Sequence, residues 1–157
     1  MKTESETWRL SEISVTLRVP LEDADFLKSI EQDYNKQSDA AAEVAVRSIV
    51  NAENSYHESH GTYACKLSDM SSQAKSGGTQ TFVPGGLSGE IATGKQGGYV
   101  FVISGCDGTQ YKVVGEPDMP DSGERAFCAD ESGALRASSD GKATTCLRSG
   151  DAVQQRK

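Results

Sequence analysis

The sequence predicts an α+β domain: a long N-terminal helix leaning on a small four-stranded antiparallel sheet stapled by disulfides. Residues 21–61 carry an apolar stripe at helical spacing, closed by a glycine. From residue 98, short β-rich runs alternate with turn residues, and four cysteines spread over the second two-thirds of the chain.

The helix is the clearest element. Pro20 ends a short alternating stretch, Ile13, Val15, Leu17 and Val19, whose period of two suggests a strand in the 1–20 extension. Glu22, Asp23 and Asp25 then favour a helix start, because they face the positive end of the macrodipole, and Gly61 provides a stop. Between them Leu27, Ile30, Tyr34, Ala41, Ala45, Ile49, Ala52 and Tyr56 fall on one face. Such a helix would run about 55 Å at 1.5 Å per residue. Ala41, Ala45, Ile49, Ala52 and Tyr56 are expected against the sheet, while Leu27, Ile30 and Tyr34 project past it as a partner contact. Polar residues crowd Asn35–Asp39, where a break is conceivable.

Residues 62–97 read as an αβ loop: a compact turn, then a Gly/Ser-rich stretch with one short helix around Leu87–Thr93. Residues 98–148 hold the sheet and a disulfide-bonded tail. GGYVFVISG and TQYKVVGEP flank Asp107-Gly108, and RAFCADESGALRAS turns at Ser132-Gly133. Residues 149–157 form a polar end. Residues 21–148 thus make one domain.

Composition narrows function. The 157 residues suit one domain, and 36% hydrophobic content leaves a modest core. The net charge is −7, with twelve acidic and six basic groups in residues 1–60, so no basic stripe for nucleic acid is present. No run of 18 apolar residues could insert in a membrane.

Cys65, Cys106, Cys128 and Cys146 form no CxxC pair and have no histidine at ligand spacing, which argues against zinc. Two disulfides fit better, with free structural thiols as the alternative. Of the three pairings, Cys65–Cys106 and Cys128–Cys146 are preferred. They tie the post-helix turn to the central hairpin and the last hairpin to the tail, each worth roughly 3–4 kcal/mol in the chain-entropy model. Disulfides imply an extracytoplasmic site, periplasm or cell surface. Yet residues 1–20 are charged and lack the apolar core of a secretory signal, so the extracytoplasmic expectation rests on the cysteines alone.

Catalytic patterns are absent, and no enzyme is expected. Gly86-Leu87-Ser88-Gly89 is not a nucleophile elbow, and Gly94-Lys95 is followed by Gln96 rather than Ser or Thr. His57 and His60, near Glu53, Glu58 and Asp69, suit a helix C-terminus better than a metal site. Asp107, Asp130 and Glu131 suit turns better than calcium. No cofactor and no metal are expected.

The segment SDAAAEVAVRSIVNAENSYHESHGTYACKLSDM resembles the second half of the long helix of type IV pilins and type II secretion pseudopilins, through Arg47, Ser48, Ile49, Asn51, Ala52, Tyr56, Gly61 and Tyr63. YKVVGEPDMPDSGERAFCADESGALR and DGKATTC are similar to the β-region of pilin-like proteins of soil bacteria such as acidobacteria. The resemblance covers about residues 38–148. It implies a pilin-like fold and an assembly role through helix-mediated protein contacts, self-association included. The pilin leader and apolar half-helix have no counterpart here; LEDADFLKSIEQDYNKQ stands in that place. The alternative is a binding module using loops 76–98 and 116–124.

Overall fold

The computed structural model describes residues 15, 16, 18, 20–71, 73–76, 79–82, 86–119, 122 and 124–154. Helix α1 spans Ala24–His60 without interruption. The Asp23 carboxylate caps its start by accepting the Asp25 and Phe26 N–H groups at 3.0 and 3.3 Å. Gly61, at φ +75°, ends it and donates its N–H to the His57 carbonyl. The strand expected over residues 8–19 lies largely outside the described residues; Val15, which falls within them, is 85% exposed and in no strand.

Asn35–Asp39 do not break the helix, because Asn35, Ser38 and Asp39 point at the sheet layer and bond there, while Lys36 and Gln37 are exposed. Asn35 Nδ2 donates to the Ser122 carbonyl at 2.8 Å, and Ser38 Oγ donates to the Gly97 carbonyl at 3.1 Å. Asp39 takes part in the ion pair described below. These residues belong to the docking face, and their side chains fasten the helix.

A 3₁₀ turn, Leu67–Met70, follows α1. Strands β1 (Gln73–Ser76) and β2 (Thr79–Phe82) pair as an isolated hairpin, and α2 is the single turn Gly89–Ala92. The loop expected over 62–97 therefore contains regular elements, and the short helix expected near Leu87–Thr93 lies among them.

The main sheet runs β3 (Lys95–Gln96), β4 (Tyr99–Ser104), β5 (Lys112–Pro117), β6 (Ala126–Asp130), β7 (Arg136–Ser138) and β8 (Asp151–Ala152), in that spatial order and antiparallel throughout. Among the described residues it has six strands rather than the four expected. The four expected runs are β4 to β7. The additions are two-residue edge strands, too short to show periodicity in sequence. A seven-residue helix, α3 (Ala143–Ser149), likewise stands where a tail was expected.

The fold has three layers. On one face, Ala42, Ala45, Val46, Ile49 and Ala52 of α1 cluster with Tyr99, Phe101, Val113, Phe127 and Ala137. On the other, α3 packs Ala143, Cys146 and Leu147 against Val114 and Cys128. Ala41, expected against the sheet, is exposed, and Ala42 takes its place. The buried face is centred nearer Val46, Ile49 and Glu53 than the stripe drawn from Tyr34 suggested, which leaves Ala41 at its margin. Ala45, Ile49 and Ala52 are buried, and Tyr56 is half-buried against the same cluster.

Gly115 in β5 shows how tight this contact is. A Cβ there would lie 2.8 Å from Phe101 Cε1 and 3.3 Å from Val46 Cγ2. Gly115→Val should therefore overpack the helix–sheet joint and lower stability by about 1–3 kcal/mol, read as a urea midpoint shift. An unchanged midpoint would mean that α1 sits further from β5.

Candidate functional site

The chemistry of the chain concentrates where α1 meets the sheet and where it leaves it. Asp39, at the N-terminal end of the helix–sheet contact, holds three donors. Arg125 N–H and Tyr99 O–H reach Asp39 Oδ1 at 2.9 and 2.8 Å, and Arg125 Nε reaches Oδ2 at 2.8 Å. The Tyr99 hydroxyl also lies 2.7 Å from the Arg125 carbonyl. Burial, then the bond to Asp39, pushes the Tyr99 hydroxyl above the ordinary phenol range, so it stays a neutral donor. Arg125 also lies 5.0 Å over the Phe127 ring.

Toward its N-terminus α1 loses contact with the sheet. Leu27, Ile30 and Tyr34, the expected partner residues, are 44%, 47% and 60% exposed. Tyr34 marks the boundary: its hydroxyl would be 3.8 Å from a Cβ placed on Gly98, so the ring edge still reaches the head domain. Glu22, Asp25, Glu31 and Asp33 lie around these apolar residues, exposed like them. The surface is therefore a narrow greasy strip with acidic margins. Further along α1, a shallow groove of about 720 Å³ lies between Lys36, Ala40, Glu43, Val44 and Arg47 on one side and Arg125, Val153 and Gln154 on the other. Of its three cations, Arg47 and Arg125 are paired with Glu43 and Asp39.

The loops of the binding-module alternative meet at their described ends. Asp118 N–H donates to the Gly98 carbonyl at 2.7 Å, and Lys95 Nζ lies 3.7 Å from Asp118 Oδ2. The depression between them, lined by Glu90, Gln96, Gly97 and Tyr99 as well, is wide and shallow. Within it Lys95 and Asp118 pair with each other.

The remaining candidates are structural in their local geometry. His57 stacks on Tyr63 and His60 on Tyr56, at centroid distances of 4.4 and 4.0 Å. Asp107 Oδ1 accepts the Thr109 hydroxyl and the N–H groups of Thr109 and Gln110. Those bonds, the Thr109 hydroxyl first, hold the carboxyl below its usual range. Asp130 accepts from Ser132 and pairs with Arg136 at 3.3 Å. Both aspartates are spent on turns, and among the described residues no cluster of three or more His, Cys, Asp or Glu is placed to hold a metal.

All four cysteines are paired, Cys65 with Cys106 and Cys128 with Cys146. Their settings differ: Cys65 is exposed, whereas Cys128 and Cys146 are fully buried. Sequence reasoning missed two polar groups of interest. Glu53 was weighed only as a neighbour of His57 and His60 and not as a core residue, and Tyr99 only as part of a β-rich run. The Glu53 position on the buried side of the stripe was the available signal.

No protein-family model, no curated protein and no solved structure matches this chain. Among the described residues, no helix is long and apolar enough to cross a membrane.

Proposed function

We propose that this chain is a structural assembly subunit of pilin-like type, which joins other protein chains through the projecting half of α1. The observation that carries the reading is the strip Leu27, Ile30 and Tyr34, which runs outward from the sheet at Tyr34 on a continuous helix with almost half or more of each residue exposed. Three apolar side chains at one helical edge are a costly surface for a free helix end. Covering them with a partner helix removes apolar area worth about 25 cal/mol per Å². The helix itself supports the role. An isolated helical segment is marginal in water, but this one is continuous with a part anchored by Asp39 and by a core face. The partner thus meets a preformed edge and orders little on binding.

The two disulfides support an oxidising, extracytoplasmic setting for that assembly. The fold order, long helix then antiparallel meander, is the one that the pilin resemblance implies, and the chain's acidic half-helix gives the contact a different character from an apolar one. The reading is a non-catalytic one, and it is supported by the polar side chains at the helix–sheet joint being bonded to each other.

Ile30→Asp tests the proposal. It puts a charge in the centre of the strip and touches nothing in the core, so the urea midpoint should stay within about 0.5 kcal/mol of the original. Self-association, read as mass by light scattering, should fall at least tenfold in affinity. An associating protein whose mass is indifferent to Ile30→Asp would refute the assignment of this surface.

A further inference from the structure

At the opposite end of α1 from the proposed contact, Glu53 lies in the middle of the core and is wholly inaccessible. Its Oε2 accepts the Ala64 N–H at 2.8 Å. Its Oε1 has no hydrogen-bond partner among the described residues, and neither has the buried hydroxyl of Tyr111. Ala64 belongs to the turn that follows α1. That turn is fastened by the Cys65–Cys106 disulfide and by the Tyr63 N–H on the Gly108 carbonyl at 2.9 Å. The Ala64 carbonyl in turn lies 3.6 Å from the Cys106 sulfur.

We propose that the Glu53 carboxyl is a protonation-controlled latch on the end of α1: buried neutral it keeps the core beneath the 62–65 turn closed, and its ionisation destabilises that core because the cost of the buried charge exceeds the strengthening of the one Ala64 bond. An ionised carboxylate has about four lone-pair sites to satisfy, while a neutral carboxyl needs fewer and brings an O–H of its own. In this pocket the one hydrogen bond to the carboxyl comes from a backbone N–H and no cation pairs with it, which suits the neutral form. The groups that face it from neighbouring elements do not reverse the preference. Tyr111 precedes β5, Tyr63 belongs to the turn, and His57 is one turn further along α1, stacked on Tyr63. Asp130 and Glu131, at the end of β6, add negative potential at Tyr111.

Burial pushes the Glu53 pKa up to about 7, and the Ala64 bond opposes that rise without cancelling it. The folded chain therefore binds this proton more tightly than the unfolded one. Its stabilising contribution is full below about pH 4.5 and is lost as pH rises through about 7. Asp107 and Asp140 act in the opposite sense, in a lower window. Side-chain bonds from Thr109 and Thr145 depress them, so their contribution is present above about pH 3.8 and lost as pH falls. Stability should consequently peak at mildly acidic pH.

The latch rests on the core alone and does not depend on the assembly role. Urea unfolding of the intact, disulfide-bonded protein between about pH 5 and about pH 8 tests it. The folding constant should decline by on the order of a hundredfold over that range. In Glu53→Gln, which keeps an acceptor for Ala64, the decline should be nearly abolished, and the Ala64 amide should keep its exchange protection at the alkaline end. An equal decline in Glu53→Gln would show that another group carries the effect and overturn the proposal. Should that variant fail to fold, the carboxyl ¹³C titration of Glu53 in the unaltered protein decides. A midpoint near 7 supports the latch, and one near 4.5 overturns it.

Discussion

Replacing both Cys128 and Cys146 with alanine lowers the unfolding free energy by at least about 3 kcal/mol, enough to leave a small domain marginal. Two effects combine. The bond closes an 18-residue loop, whose removal in the chain-entropy model costs about 3 kcal/mol. Both sulfurs are also fully buried and hold α3 to β6, on the sheet face away from α1. That face has little else, with Val114, Ala143 and Leu147 as its apolar partners. Losing the sulfurs leaves space that three small side chains fill poorly. Denaturant unfolding of the double variant should show the loss together with early exposure of α3. The other disulfide closes a longer loop, 41 residues, but Cys65 is exposed, so its loss acts mainly through the unfolded chain. A loss below about 1 kcal/mol at Cys128–Cys146 would show that α3 is held by something else.

Asp39→Ala should cost about 2–4 kcal/mol, the second largest effect of a small set of changes. The carboxylate is 14% exposed and takes three hydrogen bonds from two residues of the sheet layer. Removing it strands the Arg125 guanidinium and an Arg125 N–H at the joint where α1 leaves the sheet. Arg125 is 42% exposed, so its charge can be rehydrated, and the loss is smaller than for a fully buried pair. The Tyr99 hydroxyl keeps its bond to the Arg125 carbonyl, which limits the damage further. Combining Asp39→Ala with Tyr99→Phe in a double-mutant cycle should give a coupling of about 1 kcal/mol. Strict additivity would mean that the two side chains do not share Arg125 as described.

The long helix was legible because its signals were redundant. An acidic start, a glycine stop and a stripe at steps of three and four all pointed one way, and Asp23 and Gly61 indeed cap it. The strands β4 to β7 were legible from β-rich runs set between Asp107-Gly108 and Ser132-Gly133. The edge strands were not, since two residues carry no period and are formed only by neighbours already in place. Polarity misled in one place for an instructive reason. Asn35, Ser38 and Asp39 looked like a weak point of the helix, yet their side chains bond across to Ser122, Gly97 and Arg125. A sequence shows that a residue is polar and not what it will meet. The same limit hid Glu53, whose burial depends on the turn at Ala64 folding back over it. Leu27, Ile30 and Tyr34 were read as projecting because they lie N-terminal to the small-residue stretch, and they are exposed.

Sedimentation velocity of the intact protein over a wide concentration series tests the assembly reading most directly. If the projecting edge of α1 is a contact surface between copies of this chain, the weight-average sedimentation coefficient should rise with concentration, and Ile30→Asp should hold it at the monomer value. A coefficient that stays monomeric at every concentration, identical in the two proteins, would contradict assembly through self-association.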